Sequence, residues 1–166
     1  FVVVDARRRR FPALARRWPQ ISRALCDRHD GVGADGLLLL EPAPAAAARM
    51  RIFNADGSEA QMCGNGARCV ALYVAAGRTG EHRTVAIDSR AGRLEAVVRG
   101  GRVAMRMMDP RHIQLGLVLT AEGQRIRGGC INTGVPHLVV PVKALGRVDV
   151  ARLGRTLRFH PMFAPR

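Results

Sequence analysis

Four cysteines stand at positions 26, 63, 69 and 130, and one of them has neighbours that could make it reactive. Cys63 heads the run Cys63-Gly-Asn-Gly-Ala-Arg-Cys69. From Gly66 onward Ala67, Val70, Ala71 and Val74 recur at helical spacing, which predicts a helix over about 64–76 with Cys63 just ahead of it. The start of a helix leaves N–H groups without intrahelical partners and carries partial positive charge. Such an end favours a thiolate over a thiol and can hold a carboxylate on backbone N–H groups. Gly64 and Gly66 would let the backbone approach that ligand with no Cβ in the way. A thiolate beside a bound carboxylate suggests acid–base chemistry at the carbon next to it. The same pattern also fits a buried cysteine at a helix start, with glycines that merely turn the chain. Cys69, six residues on, falls on roughly the opposite helix face and reads as core.

The elements that must position this helix follow from the same patterning. Phe1 to Asp5 reads as a strand rich in β-branched residues. A helix from about Pro19 to Arg28 has its proline in the first turn, where the missing N–H costs nothing; Ile21, Leu25 and Cys26 would face the core. Residues 31–36 break that pattern, Leu37 to Leu40 form a continuous apolar strand, and Pro42 to Ala48 a small-residue loop. Arg49 to Asn54 reads as a strand ending in the turn Asn54-Ala-Asp-Gly57. Gly77 is placed to close the helix that follows Cys63. Strands near 83–88, 93–98 and 102–108, divided by Ala91-Gly92 and Gly100-Gly101, make an antiparallel meander. Asp109-Pro110 marks a boundary, beyond which 124–133 and 137–142 read as extended and 150–158 as helical.

Composition narrows the class. The 166 residues are 48% hydrophobic and 24% charged, ordinary for a globular chain. No apolar run approaches the ~20 residues of a membrane span. Phe1 to Val4 is too short for a signal-peptide core and no small-residue cleavage site follows, so free thiols and a cytoplasmic location are expected. No CxxC pair and no Cys/His spacing of the zinc kind occurs, so no metal is expected. The formal charge of +14 invites a nucleic-acid reading. Against it, Lys143 is the only lysine among 27 basic residues, the arginines are spread along the chain, and aromatics make up 4%, little material for stacking bases. Arg7 to Arg10, the one compact basic run, reads as a solvated loop.

Cys63 to Cys69, with Arg51-Ile-Phe-Asn-Ala-Asp-Gly-Ser-Glu59 before it, resembles the first active-site motif of diaminopimelate epimerases. Cys26-Asp-Arg-His-Asp-Gly-Val-Gly-Ala-Asp-Gly36 resembles that family's upstream motif. Asn132-Thr-Gly-Val-Pro-His137 resembles its later Gly-Asn-Pro-His motif, and Leu157-Arg-Phe-His-Pro161 the stretch that continues it. The resemblance implies an α+β fold of two pseudo-symmetric units, each a mixed, barrel-like sheet around a central helix, with the active site between them. Residues 1–110 would be the first unit, its start truncated, and 111–166 the beginning of an incomplete second. It implies epimerisation of LL- and meso-diaminopimelate without a cofactor, one cysteine thiolate removing the α-proton while a second thiol delivers a proton to the opposite face. Carried over by residue, Cys63 is the first catalytic cysteine. Gly64 and Asn65 hold the substrate at the helix end, and Asn54 is a substrate-binding amide. His137 supports the acid–base machinery, its other reading being a histidine hydrogen-bonded in a strand-edge turn. The implied partner is a small molecule, with no nucleic acid and no membrane; a homodimer stays open.

Several positions depart from the family pattern. Gly36 stands where many relatives have Gln. Val135 replaces the Asn of Gly-Asn-Pro-His, removing a polar contact to the far end of the substrate. The family's opening Gly-Asn-Asp-Phe is represented by Phe1 alone. The second cysteine motif, Cys-Gly-Thr-Gly, and the Glu-Arg before it are not in this sequence, so the 166 residues are expected to be inactive alone. Two other readings compete. Proline and hydroxyproline racemases share the two-unit architecture, but their first motif generally has His where Asn65 stands. A basic nucleic-acid-binding module is the other.

Overall fold

Four consecutive leucines, Leu37 to Leu40, are fully buried, and they alternate between two separate clusters. Leu38 and Leu40 join Val70, Ala71 and Val74; Leu37 and Leu39 join Trp18, Cys26 and Phe53. A strand covered on both faces needs such an unbroken apolar run. The coordinates are a computed structural model, which describes residues 1–9, 11–76 and 82–163. Arg10, Gly77 and Arg166 lie outside the described residues, and with them the expected glycine closure of the central helix.

In chain order the first unit, Phe1–Met108, runs β1 (Val2–Asp5), α1 (Trp18–Cys26), β2 (Gly36–Glu41), β3 (Ala48–Asn54) and β4 (Glu59–Ala60). Then come α2 (Gly64–Ala75), β5 (His82–Ser89), β6 (Gly92–Arg99) and β7 (Arg102–Arg106). The sheet order is β1-β2-β3-β5-β6-β7, with β4 added on β3. β1 lies parallel to β2, and β3 antiparallel to β2. β5 pairs in parallel with β3 only at Ala48↔Ile87 and Arg49↔Asp88. The other half of that edge belongs to β4, through Ile52↔Ala60 and Phe53↔Glu59.

Helix α2 packs into the cluster built by β2, β3, β5 and β6 and also contacts β7. Five adjacent strands span roughly 19 Å at ~4.8 Å spacing, about twice the width of a helix. One helix can touch them all only if the sheet curls around it. Among the described residues no pairing joins β7 to β1, so this barrel-like layer is open rather than a closed barrel. Helix α1 covers the opposite face of β2 and β3, burying Trp18, Ser22 and Cys26, while Ile21 and Leu25 are half-buried beside them.

The meander has three strands where they are expected, although β7 ends at Arg106 rather than near 108. Gly100 and Gly101 take positive φ (48° and 78°) between the paired Arg99 and Arg102, the requirement of a two-residue I′ turn. The other turn is one residue earlier than expected: Ser89 pairs with Gly92, so Arg90-Ala91 forms it.

At the end of β1, Arg7 makes a two-point contact with Asp5 (2.9 and 2.7 Å), and Tyr73 of α2 donates to the same carboxylate at 3.2 Å. The Arg7 guanidinium is the main reason that the Asp5 carboxyl falls from its usual 3.8 to about 2. A carboxyl lowered by folding adds stability above its unfolded value and loses it as the pH falls toward the folded one. For this partly solvated pair we expect about 1–2 kcal/mol, present above about pH 5 and gone near pH 2. Asp5→Asn should therefore lower the melting temperature at neutral pH, and the gap from the wild type should close below about pH 3. A gap independent of pH would remove the charge from this account.

The second unit, Asp109–Arg166, holds β8 (Arg111–Ala121), β9 (Gln124–Asn132), β10 (Pro136–Val139) and α3 (Val150–Arg158). The strands order as β10-β9-β8. Leu117, Leu119, Ala121 and Leu157 are its buried residues. Asp149 caps α3 by accepting from the Arg152 N–H at 2.9 Å. Glu122, in the β8–β9 turn, accepts from Arg152 Nε at 2.9 Å and so ties helix to hairpin. Strand β8 is absent from the sequence reading, and β10 stops at Val139 where extension to 142 was expected.

Candidate active site

The residues that lead to Cys63 are fastened one after another. β3 ends at Asn54, whose N–H donates to the Ser58 carbonyl at 2.8 Å and whose side-chain amide donates to the Ser58 hydroxyl at 2.9 Å. Asp56 accepts from the Ser58 N–H (2.8 Å) and hydroxyl (2.6 Å). Gly57 has φ +81°, and a Cβ there would lie 2.4 Å from Arg23 Nη1 and 2.6 Å from the Pro19 carbonyl. This turn is therefore pressed onto α1. The buried Ser22 hydroxyl donates to the Asn54 carbonyl at 2.9 Å, and Arg23 Nη1 to the Asp56 carbonyl at 3.1 Å.

The chain then returns along β3 as Glu59–Ala60, buries Met62, and reaches Cys63. Cys63 is extended (φ −145°, ψ 112°) and caps α2: its Sγ accepts from the Gly66 N–H at 3.4 Å. Its carbonyl accepts from the Ala67 N–H at 2.9 Å. A sulfur thus occupies the capping position where Ser, Thr, Asp or Asn usually places oxygen. The Gly64 and Asn65 N–H groups belong to the first turn, which has no intrahelical acceptors. Half-buried against the core, Cys63 combines a fixed position with exposure at the helix's positive end. That combination suits a group exchanging protons with an anionic ligand.

The neighbouring residues divide differently from the sequence expectation. Gly64 has room, since a Cβ there would make an ordinary 3.5 Å contact with Met107 Cε. Gly66 has none: a Cβ would come within 2.8 Å of Leu38 Cδ2, so its bareness serves the packing of α2 on β2 rather than approach to a ligand. Asn65 is exposed, and its side-chain oxygen accepts from the Arg68 guanidinium. Cys69 is exposed, not core. Six helical residues turn it well away from Cys63, and the Cys63 side is the one that faces the core. Cys26 is buried, and Cys130 is half-buried against the second unit's core.

Cys63, Gly64 and Asn65 thus share one helix end, and Asn54 stands at the start of the hairpin leading to it. His137 belongs to the second unit, exposed on β10 opposite Ile131. It follows a turn in which Asn132 Oδ1 accepts from the Gly134 N–H (2.9 Å) and the Val135 carbonyl from the Thr133 N–H (3.2 Å). Among the described residues, no three His, Cys, Asp or Glu side chains are grouped to hold a metal ion.

Two parts of this machinery went unread in the sequence. Arg51 and Glu59, at the ends of the segment preceding Cys63, form a bidentate pair at 2.8 and 3.1 Å. Chiefly through that hydrogen bond, Glu59 is held below the usual carboxylate range. They are diagonal neighbours across the β3–β4 pairing, a relation that becomes visible only once the register Phe53↔Glu59 is known. The other part is the loop after α1. The N–H groups of Val32 and Gly33 donate to the Leu25 carbonyl, and that of Ala34 to the Cys26 carbonyl. Asp27 Oδ1 accepts from the N–H groups of His29 (2.7 Å) and Asp30 (2.8 Å). The segment 26–36 is therefore a closure for the end of α1. A side chain at Gly36 would meet the Phe53 carbonyl at 2.8 Å.

The sequence model of the diaminopimelate epimerase family matches residues 1–113. The chain belongs to the diaminopimelate epimerase family. It is 38% identical over 173 residues to the diaminopimelate epimerase of Aquifex aeolicus, covering all of this chain and 62% of that protein. To the diaminopimelate epimerase of Moorella thermoacetica it is 35% identical over 183 residues, covering all of this chain and 64% of the relative. The chain thus spans about three fifths of the length of these curated diaminopimelate epimerases. Solved structures share the fold. A hydroxyproline epimerase from Agrobacterium vitis with bound trans-4-OH-L-proline aligns at TM-score 0.60 and 24% identity over 76% of this chain and 40% of that one. A Bacillus anthracis phenazine biosynthesis protein of the PhzF family aligns at 0.61 and 22% over 91% and 52%.

Proposed function

We propose that this chain supplies one half of a cofactor-independent epimerase interconverting LL- and meso-diaminopimelate, with Cys63 as one of its two acid–base groups. The observation that carries the reading is the thiol of Cys63 at the cap of α2, beside first-turn N–H groups, in a chain of the diaminopimelate epimerase family. In this reading the substrate α-carboxylate sits on the N–H groups of Gly64 and Asn65. Its negative charge is favoured there by the helix end. Cys63 then stands next to the α-carbon and removes or returns its proton, while a second thiol acts on the opposite face. Asn54 contributes an amide to substrate binding, and His137 supports proton transfer from the second unit. The two pseudo-symmetric units, divided at about residue 110, and assembly as a homodimer belong to the same proposal.

Two-base inversion needs two cysteines held in line. Cys26, Cys69 and Cys130 are followed by Asp27, Val70 and Ile131, none by a glycine turn. The 166-residue chain alone should therefore show no epimerisation. In a protein of the relatives' full length carrying this chain, diaminopimelate in deuterated water should gain deuterium at the α-carbon. Trans-4-hydroxy-L-proline should gain none. Exchange into hydroxyproline but not diaminopimelate would replace the substrate assignment with that of the racemases; turnover by the 166 residues alone would end the two-cysteine account.

A further inference from the structure

The hairpin that delivers Cys63 is short of backbone support. β4 consists of two residues, Glu59 and Ala60, paired only with Phe53 and Ile52. It shares one edge of β3 with β5, which takes positions 48 and 49, so neither strand fills that edge. Between Glu59 and Cys63 lie three residues, at most roughly 14 Å of extended chain. A displacement of β4 can therefore be passed along a short stretch to the capping sulfur, opposed by the buried Met62 and by the core packing of Ala60 and Cys63.

Side chains make up the deficit. Glu59 is bound on one side by Arg51 of β3, at 2.8 and 3.1 Å, and on the other by Arg90 of the β5–β6 turn at 3.2 Å. Arg51 is itself held over the Phe53 ring, 5.0 Å from its centroid, and lies 3.6 Å from Glu41 of β2. The side chains of Glu59 and Arg51 are only 20% and 26% exposed. Planar two-point contacts of this kind fix geometry as well as adding energy. The carboxylate of Glu59 thereby bridges the junction on the β3 edge that the backbone leaves open.

We infer that Glu59, clamped by Arg51 and Arg90, is a positioning residue that sets the place of the Cys63 sulfur at the cap of α2. Glu59 itself need touch no substrate. Its catalytic meaning rests on the reading of Cys63 given above; its geometric part does not. A misplacement of about 1 Å in a reacting group can cost on the order of 100-fold in rate, so a clamp one strand away has leverage on turnover.

Amide hydrogen exchange on the 166-residue chain tests the geometry directly. The reporters are the N–H groups of Gly66 and Ala67, which bond the Cys63 sulfur and carbonyl. Glu59→Gln should speed exchange at these two amides about tenfold and leave Val85 and Ala96 of the meander within about twofold. Arg90→Gln, a change at a half-exposed side chain, should give the same pattern more weakly. Asp35→Asn, which breaks the exposed Arg28–Asp35 pair, should leave Gly66 and Ala67 unmoved. In the full-length protein, Glu59→Gln should lower kcat about tenfold or more with KM within about twofold. Unchanged protection at Gly66 and Ala67, a uniform rise over the whole unit, or normal kcat despite faster local exchange would each overturn the inference. A wild-type protein that exchanges no α-proton fails the proposed function instead, and the amide measurements still decide the geometry.

Discussion

Cys63→Ser should leave the chain as stable as the wild type, within about 1 kcal/mol, while α-proton exchange in the full-length protein falls by a factor on the order of 1,000 or more. The two outcomes separate because Cys63 caps α2 and, in the proposed function, also acts as a base. As a cap, Cys63 accepts the Gly66 N–H, and a serine oxygen does that at least as well. In the proposed role the base must take up and give back a proton, which thiols do far more readily than aliphatic hydroxyls. Cys63→Ala removes both and should cost about 1 kcal/mol of stability as well. Deuterium uptake at the substrate α-carbon, followed beside thermal melts of both variants, reads the two effects independently. Near-wild-type exchange in either variant would reduce Cys63 to a capping residue.

The second large effect is structural. Gly31→Ala should destabilise the first unit by about 3 kcal/mol or more, roughly 10 °C in melting temperature. The added Cβ would lie 2.2 Å from the Ala24 carbonyl oxygen, 2.8 Å from that of Asp27 and 2.9 Å from that of Leu25. These are backbone atoms at the end of α1, and the neighbouring Val32 and Gly33 N–H groups bond the same Leu25 carbonyl. None can rotate aside as a side chain could. Gly154 supplies the contrast, because a Cβ there meets nothing within 4 Å. In the interior of α3, Gly154→Ala should stabilise by about 0.5–1 kcal/mol. Calorimetric melts of both variants check the pair, and a neutral Gly31→Ala would mean that the loop can back away from the helix end.

What could be read in the sequence was whatever local pattern decides. The start of α2 follows from the recurrence of Ala67, Val70, Ala71 and Val74, and the Gly100-Gly101 turn from its chemistry. The burial of Leu37 to Leu40 follows from an apolar run that no half-exposed strand would tolerate. Strand β8 was missed because its pattern is broken: all of Arg111 to Gly116 is exposed, and pairing shifts register twice before Leu117. Positive φ at His112 and Gly116 accompanies those shifts. Cys69 was misread because helical spacing tells which residues share a face but not which face is wet. The Arg51–Glu59 clamp required knowing that β4 folds back on β3, a register that two residues of strand cannot announce. For the candidate site, the sequence therefore located Cys63 at a helix start without revealing what holds it there.

Gly64 and Gly66, two residues apart in one short run, have different surroundings and should tolerate change differently. The space at Gly66 is occupied by the fully buried Leu38, so a change of substrate would not relax its requirement, whereas a smaller residue at position 38 would. At Gly64 a Cβ would make only an ordinary 3.5 Å contact with Met107 Cε, so in the proposed function its constraint would lift once no ligand needed the bare backbone. A lineage that kept this fold while changing its chemistry would thus be expected to vary first at 64 and 65 and to retain 66. The order in which such a motif decays would record which of its glycines served the ligand and which the core.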